Sequence, residues 1–472
     1  MNKEQFEAWS KTIVQKDFLS ELCNESLIEQ DKSVSNFTRE TLKGLEDIYS
    51  QFCSNMIVTN KNKDIEYSLT FYDAIYLSLS HSNQLGRIQV FNELNCTLEK
   101  QSNIFASIYN QMVGTRLYEN QINTSDYFQE SLKMNGLSQT ALNTMWDVVE
   151  SNLHKLCEFL QIKAIEKNKE KISWHEFMTM SQEVPYQIDF SVAIDQIVKA
   201  LNKIDSRMAD FSKYAIHNRW VDTEPRSTKS TSGFCAPFIN EGESRISVKY
   251  DNSIESARIL AHELGHAWHF KQLKNIGSFR FLEETLEMTT AETASIFFET
   301  VFIDFMIDDT KDKRLKKDLI DWKIKRSLNY LMSIRGAYLF ERKFYERRKN
   351  GPLSAKHIEE LSLDCQKEAY DNCLSEYEPF VWIKYEQFYQ ADTPFYNYPY
   401  SFGFLLSIGL IDIAEENNEF PQKFKEFLRE TGSIPIEQLV KKYFDKDISK
   451  PEFWEQSLQR ILADIDQYKK LT

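Results

Sequence analysis

The sequence predicts a mainly α-helical protein with one short β-structured segment. Glycine and proline, which interrupt regular structure, are scarce, with 13 and 10 residues in a chain of 472. Long stretches repeat apolar residues at helical spacing. A single segment rich in Ser, Thr, Gly and Pro, residues 221–253, breaks that rhythm. These three observations together favour a helical fold that contains a small sheet.

The predicted elements follow in order along the chain. Helical periodicity is clear over 137–167, 318–348 and 451–470, and the Asn-Gly-Pro at 350–352 predicts a turn between helices. Between the first two stretches, the strand-like pieces 232–238 and 244–250 predict a hairpin or short sheet. A helix over 253–274 follows directly, with Ser253 as its predicted N-cap.

The composition excludes several classes of protein. With 71 acidic and 57 basic residues the net charge is -14, which argues against binding to nucleic acid. No run of eighteen apolar residues predicts a membrane span, and the N-terminus lacks the apolar core of a signal peptide. Seven cysteines without a CxxC pair suit reduced thiols. We therefore expect a cytoplasmic protein with two or more lobes.

Three of the 8 histidines lie in the sequence AHELGHAWH at 261–269. On a helix, His266 lies one turn after His262 and about 40° around the axis, so both imidazoles can bind one metal ion. Glu263 lies beside them, which gives the H-E-x-x-H zinc motif, expected by chance on the order of 0.01 times per chain. Its carboxylate would take a proton from metal-bound water. His269 is interpreted as a residue behind a ligand, because catalytic zinc keeps one position open.

Spacing alone does not identify the third ligand. The metzincin pattern would require glycine at 269 and histidine at 272, where the chain has His269 and Gln272. A glutamate from a following helix remains as the common alternative. The candidates are Glu283, Glu284, Glu287, Glu292 and Glu299.

LAHELGHAWH, followed by EMTTAETASIFFETVF at 287–302, resembles the thimet oligopeptidase and oligoendopeptidase F family of zinc peptidases. The resemblance implies one Zn²⁺ per chain, with Glu292 as its third ligand and Glu299 orienting a ligand. The alternative for either glutamate is a plain carboxylate on a helix surface. The resemblance also implies two helical lobes flanking a deep substrate channel, with the small sheet next to the motif helix. The expected domains are a shortened N-terminal lobe, 1–150, and a catalytic metallopeptidase domain, 151–472.

Two further stretches carry the resemblance, which runs over roughly residues 90–460. The pieces SGFC and RISVKY resemble strands that line the family's cleft, where an edge strand can hold an extended peptide; the alternative is an ordinary hairpin. TPFYNYPYSFGFLLSIGL at 393–410 resembles the family's tyrosine segment. Tyr396, Tyr398 and Tyr400 alternate at strand-like spacing, and we expect at least one, Tyr400 first, to donate to an oxyanion. The alternative is aromatic packing.

One position departs from the family's pattern. A histidine that precedes the tyrosine segment in relatives is replaced by Gln387. A glutamine amide can donate a hydrogen bond, but it cannot carry a positive charge or move a proton. Because loss of one transition-state donor costs about 10²–10³ in rate, we expect a slower site or one adapted to another substrate.

The sequence therefore predicts a zinc-dependent endopeptidase that hydrolyses internal bonds of short, unstructured peptides, with no nucleic-acid or membrane partner. One alternative is a family member adapted to a single dedicated peptide or another substrate. A second is a non-catalytic peptide binder, against which the intact Glu263 argues. A carboxypeptidase would need a cation for the terminal carboxylate, and no motif nominates one. The oligomeric state is left open.

Overall fold

A computed structural model of the chain describes most of its residues. The described ranges are 32–62, 65–81, 83–179, 186–224, 226, 229, 233–238, 241–273 and 288–472. They are mainly helical, with two small sheets, which confirms the predicted fold class. Three of the candidate third ligands, Glu283, Glu284 and Glu287, lie outside the described residues, as does Ser232 of the SGFC piece.

The N-terminal part is a set of helices with one hairpin. Its elements are α1 (Lys32–Asn55), β1 (Ile57–Asn62), β2 (Ile65–Thr70), α2 (Phe71–Ser80), α3 (Gln84–Ile122), α4 (Tyr127–Met134), α5 (Gln139–Ser151), α6 (Leu153–Glu166) and α7 (Trp174–Thr179). Local capping explains several boundaries: Thr70 accepts a hydrogen bond from the Asp73 amide at the start of α2. The helical stretch predicted over 137–167 is two helices that meet at Asn152. The β1–β2 hairpin was not predicted.

A three-stranded sheet precedes the motif helix, as predicted. The elements here are α8 (Phe190–Ile204), α9 (Ser206–His217), β3 (Val221–Asp222), β4 (Phe234–Phe238) and β5 (Glu243–Ser247). The strand order is β3-β5-β4, so that β5 is central and pairs antiparallel with β4. Among the described residues, strand β4 therefore lies at the edge of the sheet, and one row of its backbone groups has no strand partner there.

The C-terminal part contains the motif helix and the helices that pack around it. Its elements are α10 (Ile254–Leu273), α11 (Met288–Asp309), α12 (Lys313–Leu328), a π-turn (Asn329–Ser333), α13 (Ile334–Arg348), α14 (Ala355–Ala369), α15 (Val381–Lys384), a 3₁₀ turn (Glu386–Tyr389), α16 (Tyr398–Glu416), α17 (Phe420–Arg429), α18 (Ile436–Phe444) and α19 (Pro451–Leu471). Ser253 caps α10 as predicted, accepting a hydrogen bond from the Ser256 amide. Helix α11 is buried on almost every side and packs between α10 and α16.

Gly265 brings α10 and α11 unusually close together. A Cβ atom at this position would lie 2.6 Å from the carbonyl oxygen of Ala294 and 2.6 Å from the Cα atom of Ser295. Both are backbone atoms, which no side-chain rotation can move away. The absence of a side chain at Gly265 therefore sets the distance between the helix that carries His266 and the helix that carries Glu292.

Two predictions about the whole chain can be compared with this architecture. No helix among the described residues is long and apolar enough to cross a membrane. The boundary predicted between residues 150 and 151 falls at the end of α5. The division into two domains at that point stays a prediction.

Candidate metal centre

The side chains of His262, His266 and Glu292 converge between α10 and α11. Each offers one ligand atom, and these atoms all lie within 4.8 Å of one another. The Nε2 atoms of His262 and His266 lie 3.4 Å and 3.8 Å from Oε2 of Glu292. Tetrahedral zinc with bonds of about 2.0–2.1 Å separates its ligand atoms by roughly 3.3 Å, so small side-chain movements would complete the site. The donor set of two imidazoles and one carboxylate also suits zinc.

Glu299 fixes the orientation of His262 from behind. Its Oε2 atom lies 3.0 Å from Nδ1 of His262, which leaves Nε2 directed at Glu292. Metal-binding histidines commonly donate their second N–H to a carboxylate in this way, and the bond fixes both tautomer and ring angle. The predicted contact between Glu299 and one of the metal-binding candidates is therefore present.

Ser295 holds Glu292 in a similar manner. Its hydroxyl donates to Oε2 of Glu292 across 3.0 Å. Burial raises the pKa of Glu292, but the hydrogen bond from His262 and the charge that His266 carries at low pH outweigh burial and hold the pKa at about 2. Glu292 is consequently ionised over the whole physiological range, as a metal ligand must be.

The two imidazoles differ in their protonation. Burial lowers the pKa of His266 to about 4, so its ring is neutral near pH 7. Burial also disfavours the charged form of His262, but hydrogen bonds with Glu292 and Glu299 outweigh it and raise the pKa to about 10. Binding of a metal ion would therefore release a proton from His262, and we expect metal affinity to rise with pH.

Glu263 belongs to α10, and its side chain lies close to the edge strand β4. Its side chain is buried, and burial is the main cause that raises its pKa to about 7, with the charge of His262 opposing. A Cβ atom on Gly233 would lie 2.8 Å from Oε1 of Glu263, so the glycine lets the strand contact the carboxylate. A carboxyl group with a pKa near neutrality can both accept and return a proton.

The three predicted tyrosines do not share one environment. The hydroxyls of Tyr396 and Tyr400 lie 2.7 Å apart. Burial, and then the negative charge of nearby Glu292, raises the pKa of the Tyr400 hydroxyl. Tyr400 thus lies beside the candidate metal ligands, with Tyr396 as its hydrogen-bond partner.

Tyr398 lies apart from Tyr400, and its predicted catalytic role stays a prediction. Its hydroxyl donates to the Ser131 carbonyl oxygen at 3.1 Å and accepts from the Asn135 amide at 3.2 Å, in a buried site next to α4. The physical reason is that α16 begins at Tyr398, so the segment is helical where strand-like alternation was assumed. Positions 398 and 400 are therefore separated by about 160° around the helix and face different neighbours.

Two further sequence interpretations concern His269 and Gln387. The ring of His269 hydrogen-bonds with the Thr431 hydroxyl at 2.8 Å and is fully buried, so it ties α10 to the end of α17. Its interpretation as a residue behind a ligand stays a prediction. Gln387 lies half-buried in the 3₁₀ turn. Among the contacts of the described residues, none joins Gln387 to the metal-binding candidates, and its role stays a prediction.

The sequence patterns did not identify several residues that support the centre. Arg258 lies one turn before His262 on α10, and Ser295 lies three residues after Glu292, so helical spacing could have nominated both. Arg326 comes from α12 and donates to Oε1 of Glu299 at 2.7 Å. No local sequence pattern indicates Arg326, because its position depends on how α12 packs.

A cavity of about 1050 Å³ borders residues that lie behind the centre. Its wall includes Ile259 and Arg326, the first one turn before His262 and the second in contact with Glu299. Helices α2 and α7 from the N-terminal part face α10 and α12 across this space. Six aromatic residues contribute to the lining: Tyr72, Tyr76, Phe177, Tyr186, Trp322 and Tyr330. The cavity therefore offers a partly apolar, partly charged space that Arg326 connects with Glu299.

Comparison with known sequences gives two matches. The sequence pattern of the family described as peptidase family M3 matches residues 77–460. An oligoendopeptidase F homolog from Borreliella burgdorferi is 23% identical over 356 residues, which are 73% of this chain and 58% of that relative. The chain thus spans less than two thirds of the length of the curated relative it matches.

Solved structures share the fold at low sequence identity. A putative peptidase from Chlamydophila abortus superposes with a TM-score of 0.82 at 16% identity, over 100% of this chain and 80% of the other. Oligoendopeptidase F from Enterococcus faecium gives a TM-score of 0.74, also at 16% identity, over 100% of this chain and 81% of the other. At such identity the similarity supports the architecture, and the site must be argued from its own residues.

Proposed function

The chain belongs to peptidase family M3, and on this premise we propose that it is a zinc-dependent endopeptidase for short, unstructured peptides. The observation that carries the proposal is the cluster of His262, His266 and Glu292, with ligand atoms within 4.8 Å of one another. Glu263 lies next to two of these side chains on the same helix. This arrangement provides three protein ligands and a neighbouring base, as hydrolysis at a catalytic zinc requires.

The three clustered side chains would hold the metal. When bound, zinc supplies a Lewis acid that lowers the pKa of water toward neutrality and polarises a carbonyl group. Glu299 keeps the ring of His262 oriented, and Ser295 keeps the carboxylate of Glu292 in place. Both contacts reduce the reorganisation that metal binding would otherwise need.

The remaining chemistry falls to other residues of this chain. Glu263 would accept a proton from the attacking water and later pass it to the amine of the leaving peptide. Its pKa of about 7 supports both transfers near neutral pH. Tyr400, hydrogen-bonded to Tyr396, would donate its hydroxyl to the negatively charged oxygen that forms at the scissile carbonyl.

Substrate binding would use the edge strand and the cavity. In the part of the chain that the structure describes, β4 is an edge strand beside Glu263, where an extended peptide would add backbone hydrogen bonds with little dependence on sequence. The cavity of about 1050 Å³ suits a few peptide side chains, and its aromatic lining favours apolar ones. A folded protein would not fit between the helices, so we expect selection by size. We also propose the cytoplasmic location that the cysteine pattern predicts.

A second candidate function follows from Gln387. The residue stands where the family has a histidine, and glutamine cannot supply a positive charge. A member adapted to one dedicated peptide would keep the metal and Glu263 while cleaving generic peptides poorly. A pure peptide binder is less well supported, because binding alone would not need a buried carboxylate with a pKa near 7.

The test is mass spectrometry of mixed short peptides incubated with the zinc-loaded protein. Glu263→Gln is the matched control, because it keeps the size of the side chain and removes the base. Internal cuts that disappear in the control support the endopeptidase. Confirmed zinc binding without any cuts favours the dedicated-substrate alternative, and Gln387→His is then the next variant. Failure to bind zinc would refute the proposed function.

A further inference from the structure

Two arginines from different helices converge on the carboxylate of Glu299. Arg258, on α10, pairs with Oε2, and Arg326, on α12, donates to Oε1 at 2.7 Å. The His262 ring also contacts Oε2, at 3.0 Å. Each oxygen of one buried carboxylate is therefore held by its own guanidinium, which leaves the group little freedom to rotate.

Glu255 adds a second carboxylate to the network. Its two carboxylate oxygens accept from Arg258 across 2.7 Å and 3.2 Å, a bidentate pair within one turn of α10. Two arginines thus face two glutamates. An ionised carboxylate as buried as Glu299, with 5% of its side chain exposed, is tolerated only when it is paired in this way.

The network joins three helices at a single point. Arg258 and His262 come from α10, Glu299 from α11 and Arg326 from α12. Neither arginine is among the candidate metal ligands. Their contacts nevertheless determine where the oxygen atoms of Glu299 lie, and hence the direction in which Nε2 of His262 points.

The two arginines differ in their surroundings. The side chain of Arg258 is 11% exposed, whereas that of Arg326 is 24% exposed and forms part of the cavity wall. The guanidinium of Arg326 also lies over the rings of Trp322 and Tyr330, at 5.3 Å and 5.8 Å from their centroids. Arg326 therefore links the cavity with the carboxylate behind His262.

We propose that Arg258 and Arg326 are positioning residues of the metal centre. They hold Glu299 in the one orientation that fixes the His262 ring, so zinc affinity depends on them although neither contacts the metal. This inference rests on the proposed function, because it takes the cluster of His262, His266 and Glu292 to bind zinc.

The test measures the affinity of the full-length protein for Zn²⁺ by competition with a chromophoric chelator at fixed pH. The proteins compared are the unaltered chain, Arg258→Gln, Glu299→Gln and the double variant. We expect Arg258→Gln to weaken zinc binding about 10-fold, the lower end for residues that support a ligand. In the Glu299→Gln background, the same change should alter affinity by less than about 2-fold, since the carboxylate it positions is gone.

The double variant separates positioning from a general structural effect. An equal loss in both backgrounds, or no loss in either, would overturn the inference. Arg335→Gln is the matched control: this arginine is also buried and also pairs with a glutamate, Glu150, on another face of the molecule. Its zinc affinity should equal that of the unaltered chain. Thermal unfolding of each variant reports general loss of stability separately.

A variant that fails to fold would not end the test. Arg326→Gln removes a more exposed partner, and Arg258→Lys keeps the charge; we expect Arg326→Gln to lose several-fold in affinity and Arg258→Lys to retain more than Arg258→Gln. Unchanged zinc affinity in both variants would refute this inference and leave the proposed function standing. If the unaltered chain binds no zinc, the proposed function fails first, so the two failures are distinguishable.

Discussion

The hydroxyl of Tyr400 and the carboxylate of Glu263 are the two groups proposed to act beside the candidate metal ligands. Tyr400 is close enough to Glu292 for its pKa to rise, and Tyr396 is its hydrogen-bond partner. Glu263 lies against β4. At the scale of single residues, the proposal therefore pairs a proton acceptor, Glu263, with a hydrogen-bond donor, Tyr400.

This arrangement predicts different results for two neighbouring tyrosines. Tyr400→Phe should lower kcat by about 10²–10³ with little change in zinc affinity, because it removes one oxyanion donor. Tyr398→Phe is the control, since its hydroxyl bonds to Ser131 and Asn135. It should keep kcat and lose about 1 kcal/mol of stability. Steady-state peptide hydrolysis and denaturant unfolding measure both, and equal kcat values for the two variants would contradict the assignment.

At the scale of elements, the contact between α10 and α11 determines whether the site exists. Gly265 allows the contact, and its absent side chain faces the backbone of Ala294 and Ser295. The single turn of π-helix at Asn329–Ser333 contributes Asn329 and Tyr330 to the cavity wall. There the Ser401 hydroxyl donates to the Tyr330 carbonyl oxygen, and the Tyr330 ring stacks on Phe404 with centroids 4.5 Å apart. Single turns of π-helix within α-helices are frequent at functional sites.

Gly265→Ala tests the helix contact. The added methyl group would force α10 and α11 apart, so we expect a loss of about 1–3 kcal/mol in the free energy of unfolding together with weaker zinc binding. Gly44→Ala in α1 is the control, because a Cβ atom there meets nothing within 4 Å. It should be neutral or stabilising by up to about 1 kcal/mol. Denaturant unfolding and zinc titration of both variants provide the comparison.

At the scale of the whole molecule, ionisable groups buried far from the centre affect how stability depends on pH. Glu341 of α13 is fully buried, and its carboxylate accepts a hydrogen bond from the Phe395 amide at 2.9 Å. Burial raises its pKa to about 7, against the opposing effects of this hydrogen bond and of Arg116. The folded state therefore keeps a proton on Glu341 at pH values where the unfolded chain has lost it.

This difference predicts a loss of stability as the pH rises. Above the ordinary pKa of about 4.5 only the unfolded state ionises at this position, so the free energy of unfolding falls until the folded carboxyl also ionises near pH 7. The loss should be on the order of 1–3 kcal/mol. Glu341→Gln keeps the acceptor and removes the titration, so it should gain stability relative to the unaltered chain between pH 4.5 and pH 7. If the free energy of unfolding differs between the two proteins by the same amount at pH 4.5 and at pH 7, the prediction is contradicted.

Binding of zinc should stabilise the whole molecule. The ligand atoms come from two helices, α10 and α11, that are in contact only in the folded state. At a zinc concentration about 100 times the dissociation constant, linkage predicts roughly 2.7 kcal/mol of additional stability. Thermal unfolding with zinc or with a chelator measures this gain. His266→Ala should abolish it, whereas Gly44→Ala should keep it.

Local geometry made part of this protein predictable from its sequence. His262, Glu263 and His266 are placed by the repeat of one helix, and the edge strand β4 follows from a Ser-, Gly- and Pro-rich segment with strand-like pieces. The resemblance of the AETAS block then nominated Glu292. Each of these inferences depends on a few consecutive residues, whose arrangement the backbone fixes through its own period.

Packing between distant segments decided the rest. The start of α16 turned Tyr398 away and Tyr400 toward Glu292, and the packing of α12 brought Arg326 to Glu299. The sequence by itself determined which helix carries the metal motif, because periodicity and capping act over a few residues. Only the tertiary structure determined which distant side chains reach that helix, because such contacts depend on how close whole helices approach, as Gly265 shows.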